Sequence, residues 1–209
     1  MIHWPVAFKK GVAFPDSATD FVSLDEIPST ETWEGMEEAV RLKLSKHIGV
    51  SNFGIRALQN VLENCRIKPE MNQVECHPYF QQGNLLSFCK ANDIHFTAYS
   101  PLGSGDRPDV FKSDDEPALL EDPILNELAT AHNCSVAQII ISWNLHRNTS
   151  VIPKSINPVR IAENLASENI SLSNQEMQAI ANIDKEYRIV NGKFWVVKGG
   201  PYTLEGLWR

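Results

Sequence analysis

The amino-acid sequence predicts an α/β fold, in the form of an incomplete (β/α)8 TIM barrel. Three observations carry that expectation. Short apolar segments alternate with amphipathic helical ones, so the strands pair in parallel through right-handed crossovers. No GxGxxG turn follows the first apolar segment, so the usual mark of a doubly wound dinucleotide-binding sheet is missing. Residues suited to chemistry, namely His3, Ser51, Asn52, Gln73, Tyr99, Ser100, Lys154 and Ser155, fall at or just past predicted strand ends, where barrel sites are built.

The predicted strand segments are Met1–His3, Lys46–Val50, Met71–Cys76, Ile94–Tyr99 and Ser150–Ile152. A helix is expected from about Thr32 to Lys43, with Glu31 and Glu34 giving it an acidic start. A second covers Ile55–Asn64, with Leu58, Val61 and Leu62 on one face, and a third covers Gly83–Ala91. Gly103 to Pro117 is polar and reads as an excursion loop. Asp122-Pro123 then caps a helix carrying Ile124, Leu125 and Leu128. Ser135-x-x-Gln138 is a capping box for an apolar helix Val136–Leu145, and Ser173-x-x-Glu176 is a second one, for a helix reaching about Ile183. From Lys185 the chain is irregular and aromatic, with Tyr187, Phe194, Trp195, Tyr202 and Trp208. Five strand–helix units plus a C-terminal loop are fewer than a whole barrel of about 250 residues requires.

Composition excludes several function classes. A net charge of −7 argues against a basic face for nucleic acid. No apolar run approaches the roughly 18 residues of a membrane span, and the first residues resemble neither a signal nor a transit peptide, so a cytoplasmic protein is expected. Cys65, Cys76, Cys89 and Cys134 form no CxxC pair and are expected to be reduced thiols, without disulfide or zinc. His47, His95, His132 and His146 are expected to lack carboxylate or thiolate partners, and His77 to be a structural feature of a strand end.

Ile152 to Asn164 reads IPKSINPVRIAEN. A strand runs into Pro153-Lys154-Ser155, and a helix begins at once with Asn157 as N-cap and Pro158 at its first position. Lys154, Ser155 and Arg160 therefore surround a helix N-terminus, where cations, a hydroxyl and free backbone N–H groups favour an anion such as phosphate. The plainer alternative is a strand–loop–helix joint with solvated cations.

Five motifs taken together, IHWP at 2–5, HIGVSNF at 47–53, NQVECHP at 72–78, AYSPLGS at 98–104 and IPKSINPVRIAEN, resemble the aldo-keto reductase superfamily in its own order. On that resemblance the chain is identified as a member, with residues 1–209 as a single NADP-dependent oxidoreductase domain. The tail, with Phe194-Trp195 and Gly199-Gly200-Pro201, is similar to fungal aldehyde- or glycerol-dehydrogenase-like members. The resemblance implies that His3 is the catalytic histidine orienting a carbonyl oxygen, with Trp4 beside it lining the substrate pocket. It implies that Ser51, Asn52 and Gln73 hold the nicotinamide carboxamide and that Tyr99 stacks on the ring. Ser100, Leu102 and Ser104 would lie along the pyrophosphate, under a loop. Ile152, Lys154, Ser155 and Arg160 belong to the 2′-phosphate end, and Glu163 with Asn164 to the adenine. The implied cofactor is NADPH/NADP+, the partner a small carbonyl or alcohol substrate, with no metal. Three alternatives stay open: Asn52 as a helix cap, Gln73 as a satisfied buried amide, and Tyr99 as a core aromatic.

In the family a general-acid tyrosine and its lysine and aspartate neighbours precede the histidine. The resemblance thus implies a chain lacking its N-terminal third, weak or inactive as written. The alternative is a non-catalytic NADP(H)-binding pseudoenzyme or a truncated gene product. An open partial barrel has raw strand edges, so marginal stability is expected. Lys43 stands where the family usually has a glycine after the first helix.

Overall fold

A computed structural model of the protein describes residues 1–113 and 116–208. Its elements run β1 (Ala7–Phe8), β2 (Phe21–Val22), α1 (Ser29–Arg41), β3 (Val50–Ser51), α2 (Ile55–Asn64), β4 (Met71–Glu75) and α3 (Gly83–Ala91). They continue with β5 (His95–Tyr99), α4 (Pro123–Ala131), α5 (Val136–His146), β6 (Ser150–Val151), α6 (Pro158–Ala166), α7 (Asn174–Ala181) and α8 (Leu204–Leu207). The fold is α/β, with a parallel sheet in the order β3-β4-β5-β6, as expected of part of a (β/α)8 barrel. A separate antiparallel pair, β1-β2, precedes it.

The chain divides into two compact units. The first comprises Met1–Gln73, Leu85–His95 and the segment from Asn191 onward. Here Val50 pairs with Asn72 and Ser51 with Gln73, while Ile2 bridges Val50 in parallel. A Cβ at Gly49 would lie 2.7 Å from the Met71 carbonyl oxygen, so only glycine permits this approach of the two backbones. Leu58 and Val61 bury the expected face of α2. The β1-β2 hairpin is only two residues long on each side and is clipped from far along the chain. The Tyr202 hydroxyl accepts from the Ala7 N–H and donates to the Val22 carbonyl, both at 2.7 Å. Around it Phe21, Tyr202 and Leu207 form an apolar cluster with Phe8, Trp195 and Trp208 packed against it.

The second unit comprises Val74–Asn84 and Phe96–Val190. Thr97 pairs with Ser150 and Ala98 with Val151, so β5 and β6 also run parallel. Ile139, Ile140, Ile141 and Trp143 of α5 are buried, joined by Leu125 and Leu128 of α4 and Ile180 of α7. The helix starts follow the caps expected from the sequence. Asp122 accepts from the N–H groups of Ile124 and Leu125, Ser135 and Ser173 each close a capping box, and Asn157 accepts from Val159 and Arg160. In contrast, α6 leaves apolar residues exposed, Leu165 at 72%, Val159 at 65% and Ile161 at 51%, as is Ile156 before its cap.

Some boundaries differ from expectation. Helix α1 begins at Ser29, not Thr32, because Pro28 serves as its extended N-cap and places Glu31 in the first turn. The tail after Lys185 is not wholly irregular: a 3-10 turn at Lys193–Trp195 and α8 interrupt it.

Four helices end alike. After α1, α3, α4 and α5 a residue at positive φ, respectively Lys43, Asp93, Asn133 and Asn148, turns the chain back. In α1 the Lys43 N–H bonds Val40 O and the Leu44 N–H bonds Ala39 O, the paired bonds of a Schellman ending. Asn and Asp tolerate the left-handed region, whereas a long side chain is strained there by about 1 kcal/mol. Lys43→Gly is therefore expected to raise the unfolding free energy by about 1 kcal/mol in urea titrations. A loss of stability would show that Lys43 compensates elsewhere.

Candidate functional site

The expected site residues are best taken unit by unit. In the first unit, β3 ends at Ser51 and Asn52 follows it, both buried. Ser51 Oγ donates to the Gln73 carbonyl at 2.7 Å, and the Asn52 N–H donates to the same oxygen at 3.0 Å. Asn52 stands at φ 62, a conformation that carries its amide around the strand end. Its Nδ2 donates to the His3 carbonyl at 3.0 Å and to Ser51 Oγ at 3.3 Å. Asn52 is thus not the cap of α2, a place taken by Gly54. It tethers the main chain of His3, whose imidazole-bearing residue is exposed. Gln73 is half-buried, less enclosed than its reading as a satisfied buried amide expects. Trp4 is only 7% exposed. Edge-on contacts with Trp208 at 5.3 Å, Phe194 at 5.4 Å and Trp195 at 6.0 Å enclose it in an aromatic wall built by the tail.

In the second unit, β5 ends in Tyr99, which is half-buried, and then Ser100 at φ 48. Burial, then the neighbouring Glu75 carboxylate, push the Tyr99 phenol above its usual range, so it stays protonated. Ser104, also at positive φ, donates from Oγ to Ser100 Oγ at 2.6 Å. Arg107 holds the following loop by donating to the Gly103 and Ser104 carbonyls at 3.2 and 3.1 Å and pairing with Glu116. Leu102 is half-buried in the same turn.

Lys154 and Arg160 are exposed and Ser155 is half-buried at the start of α6, while Ile152 is 48% exposed. The Lys154 ammonium pairs with Asp106 of the excursion loop, and this holds the Asp106 carboxyl below its usual range. One expectation is corrected here. The backbone N–H groups at this helix start are not free. Asn157 Oδ1 takes those of Val159 and Arg160 at 2.9 and 3.3 Å, and Ser155 Oγ takes that of Asn157 at 3.1 Å. The N-cap that starts the helix consumes the donors an anion would have used. A phosphate here would have to be met by the side chains of Lys154, Ser155 and Arg160, not by main-chain N–H groups. Glu163 and Asn164 are half-buried, and Glu163 lines an open groove of about 570 Å³ with Asn126, Thr130, Asn133, Cys134 and Gln138.

The chain matches the model of the aldo/keto reductase family over residues 1–185. It belongs to that family. It is 48% identical over 208 residues to the aldo/keto reductase slr0942 of Synechocystis, covering 100% of this chain and 64% of that protein. It is 41% identical over 191 residues to aldo-keto reductase family 1 member A1 of Mus musculus, covering 91% and 58%. The member A1 protein of Xenopus tropicalis is 40% identical over 200 residues, covering 92% and 61%. This aldo/keto reductase chain therefore spans about three-fifths of the length of these curated relatives.

The reductase fold also gathers groups that the sequence reading missed. His47 Nδ1 lies 2.7 Å from Glu70 Oε2, and His132 Nε2 lies 2.7 Å from Glu176 Oε1, contrary to the expectation of unpartnered histidines. These partners are 23 and 44 residues apart in the chain, so no local spacing announces them. His77 and Glu75 are both fully buried, with Nε2 and Oε1 2.9 Å apart. All four cysteines are free thiols. Among the described residues no cluster of three or more His, Cys, Asp or Glu is arranged to hold a metal, and no helix is long and apolar enough to cross a membrane.

Proposed function

We propose that this chain carries the cofactor-holding portion of an NADP(H)-dependent aldo-keto reductase acting on a small aldehyde, ketone or alcohol in the cytoplasm. The observation that carries the reading is the set of exposed Lys154 and Arg160 with half-buried Ser155 at the capped start of α6. A 2′-phosphate is matched by an ammonium, a hydroxyl and a guanidinium, the last in fork geometry. Tyr99, neutral and half-buried, suits a platform for a flat ring, and Ser51, Asn52 and Gln73 supply the donors and acceptors a carboxamide requires. Ser100, Leu102 and Ser104 would follow the pyrophosphate, and Glu163 with Asn164 the adenine. When bound, NADPH supplies a hydride to the carbonyl carbon. His3, anchored by Asn52 through its main chain, would orient the carbonyl oxygen.

Two tyrosines, Tyr79 and Tyr202, favour a second reading, of cofactor binding with little turnover. Tyr79 donates its hydroxyl to Asp122 and Tyr202 donates its own to Val22, so neither is placed to protonate a substrate. A reduction run without a positioned general acid is slower by about 10²–10⁴-fold. NADPH oxidation with an activated aldehyde separates the readings, since turnover at ordinary enzyme rates by this span would exclude the second.

The cofactor assignment has its own test. Arg160→Ala and Lys154→Met are each expected to weaken NADPH binding by about ten-fold or more in calorimetric titration while leaving NADH nearly unchanged. Equal losses for both nucleotides would mean that these cations do not hold a 2′-phosphate.

A further inference from the structure

Glu75 closes β4 and is 0% exposed, yet nothing in the proposed reaction uses it. Its carboxylate is held by the chain around it. Oε1 accepts from the Ile189 N–H at 2.7 Å and lies 2.9 Å from His77 Nε2, while Oε2 accepts from the Val190 N–H at 2.7 Å. A buried carboxylate is costly unless donors meet it, and two main-chain N–H groups with the His77 ring beside them answer much of that need. The contacts extend into a zipper between two segments. Lys185 and Tyr187 both donate main-chain N–H groups to the Tyr79 carbonyl, at 3.2 and 2.9 Å. The Lys185 ammonium sits 3.6 Å over the Tyr79 ring, and the Arg188 guanidinium sits 4.3 Å over the Phe80 ring. Residues 185–190 are thereby pinned to residues 75–80.

The pinned segment ends where Tyr99 begins to matter. The Cys76 N–H bonds the Tyr99 carbonyl at 3.3 Å, so the ends of β4 and β5 share one register. Alternate residues of a strand share a face, which puts Glu75 on the side of Gln73. We infer that Glu75, with His77 and the clamped Arg188, is a positioning residue that fixes the Tyr99 ring at the nicotinamide end of the cofactor. The inference rests on the NADP(H) reading proposed above. Mutual influence among the three groups agrees with it. Burial draws the Arg188 guanidinium down to about 10 while Glu75 and then Tyr99 oppose the shift, and the Tyr99 phenol senses both Glu75 and Arg188.

A purely structural staple would weaken every ligand alike, whereas a device for the Tyr99 ring acts on the nicotinamide half alone. The test compares NADPH with 2′,5′-ADP, which has the adenine and 2′-phosphate but no nicotinamide. Glu75→Gln replaces one acceptor oxygen by a donor amide facing main-chain N–H. It is expected to weaken NADPH by about ten-fold and to leave 2′,5′-ADP within about two-fold of the parent chain, both read by calorimetry. Parallel losses for the two ligands, or no loss for NADPH, would overturn the inference. If circular dichroism shows Glu75→Gln unfolded, His77→Gln, which retains a donor toward Glu75, is expected to show the same split at smaller size, and its absence would overturn the inference equally. Failure of the parent chain to bind either nucleotide would overturn the parent reading itself, a result distinct from the loss of the split.

Discussion

Trp33→Ala should lower the unfolding free energy by about 3–5 kcal/mol, a large fraction of the about 5–15 kcal/mol that stabilises a typical domain. Trp33 lies in α1, is 1% exposed, and is among the largest fully buried side chains of the described residues. Its Nε1–H donates to the Ile67 carbonyl at 2.9 Å, so the indole both fills the space beneath α1 and satisfies a main-chain acceptor after α2. Truncation leaves a cavity and an unpaired carbonyl at once. Trp33→Phe should cost less, about 1–2 kcal/mol, since it retains most of the apolar volume and loses only the N–H. Urea unfolding followed by circular dichroism measures both. A cost for Trp33→Ala below about 1 kcal/mol would mean that the surrounding helices collapse onto the space.

Asp122→Ala is expected to cost about 2–4 kcal/mol through a different mechanism, the loss of a shared acceptor. One carboxylate oxygen caps α4 by accepting from Ile124 and Leu125 N–H at 2.9 and 3.2 Å, and the other accepts from the Tyr79 hydroxyl at 2.8 Å. Burial and this bond raise the Tyr79 phenol above its ordinary range, so the hydroxyl remains a donor at any physiological pH. Removing the carboxylate orphans two helix-start N–H groups and a buried phenol. Tyr79→Phe keeps the cap and removes only the hydroxyl, so the double mutant should cost less than the sum of the singles. Additive costs would show that the 2.8 Å contact is not coupled to the cap.

These two residues differ in how visible they are from sequence. Asp122-Pro123 before an apolar run announces a helix start, because capping depends on residues within one turn. The same holds for Ser135 with Gln138, Ser173 with Glu176, and Asn157 with Pro158, all of which cap as the sequence predicts. The alternation of apolar strands and amphipathic helices gives the parallel α/β sheet for the same reason, since periods of two and of 3.6 are written into neighbouring residues. The match to the aldo/keto reductase family spans residues 1–185.

What depends on a distant partner was not visible. The β1-β2 hairpin escaped notice because its clip, Tyr202, lies 180 residues beyond Val22. Trp4 was expected to line a pocket, and the tail encloses it with Phe194, Trp195 and Trp208. At α6 the cap was foreseen, but not that it would use up the N–H groups expected to greet an anion; that follows only from counting donors against acceptors in the folded turn. Glu75 reads as one letter of a strand-end motif, and its burial under Ile189 and Val190 comes from the return of the chain 114 and 115 residues later. Spacing within a turn or a strand thus decides the elements, their caps and the family motifs of this protein. The pairing of its buried polar groups is decided by the path of the chain, because a buried donor or acceptor must be satisfied by whatever the fold brings beside it.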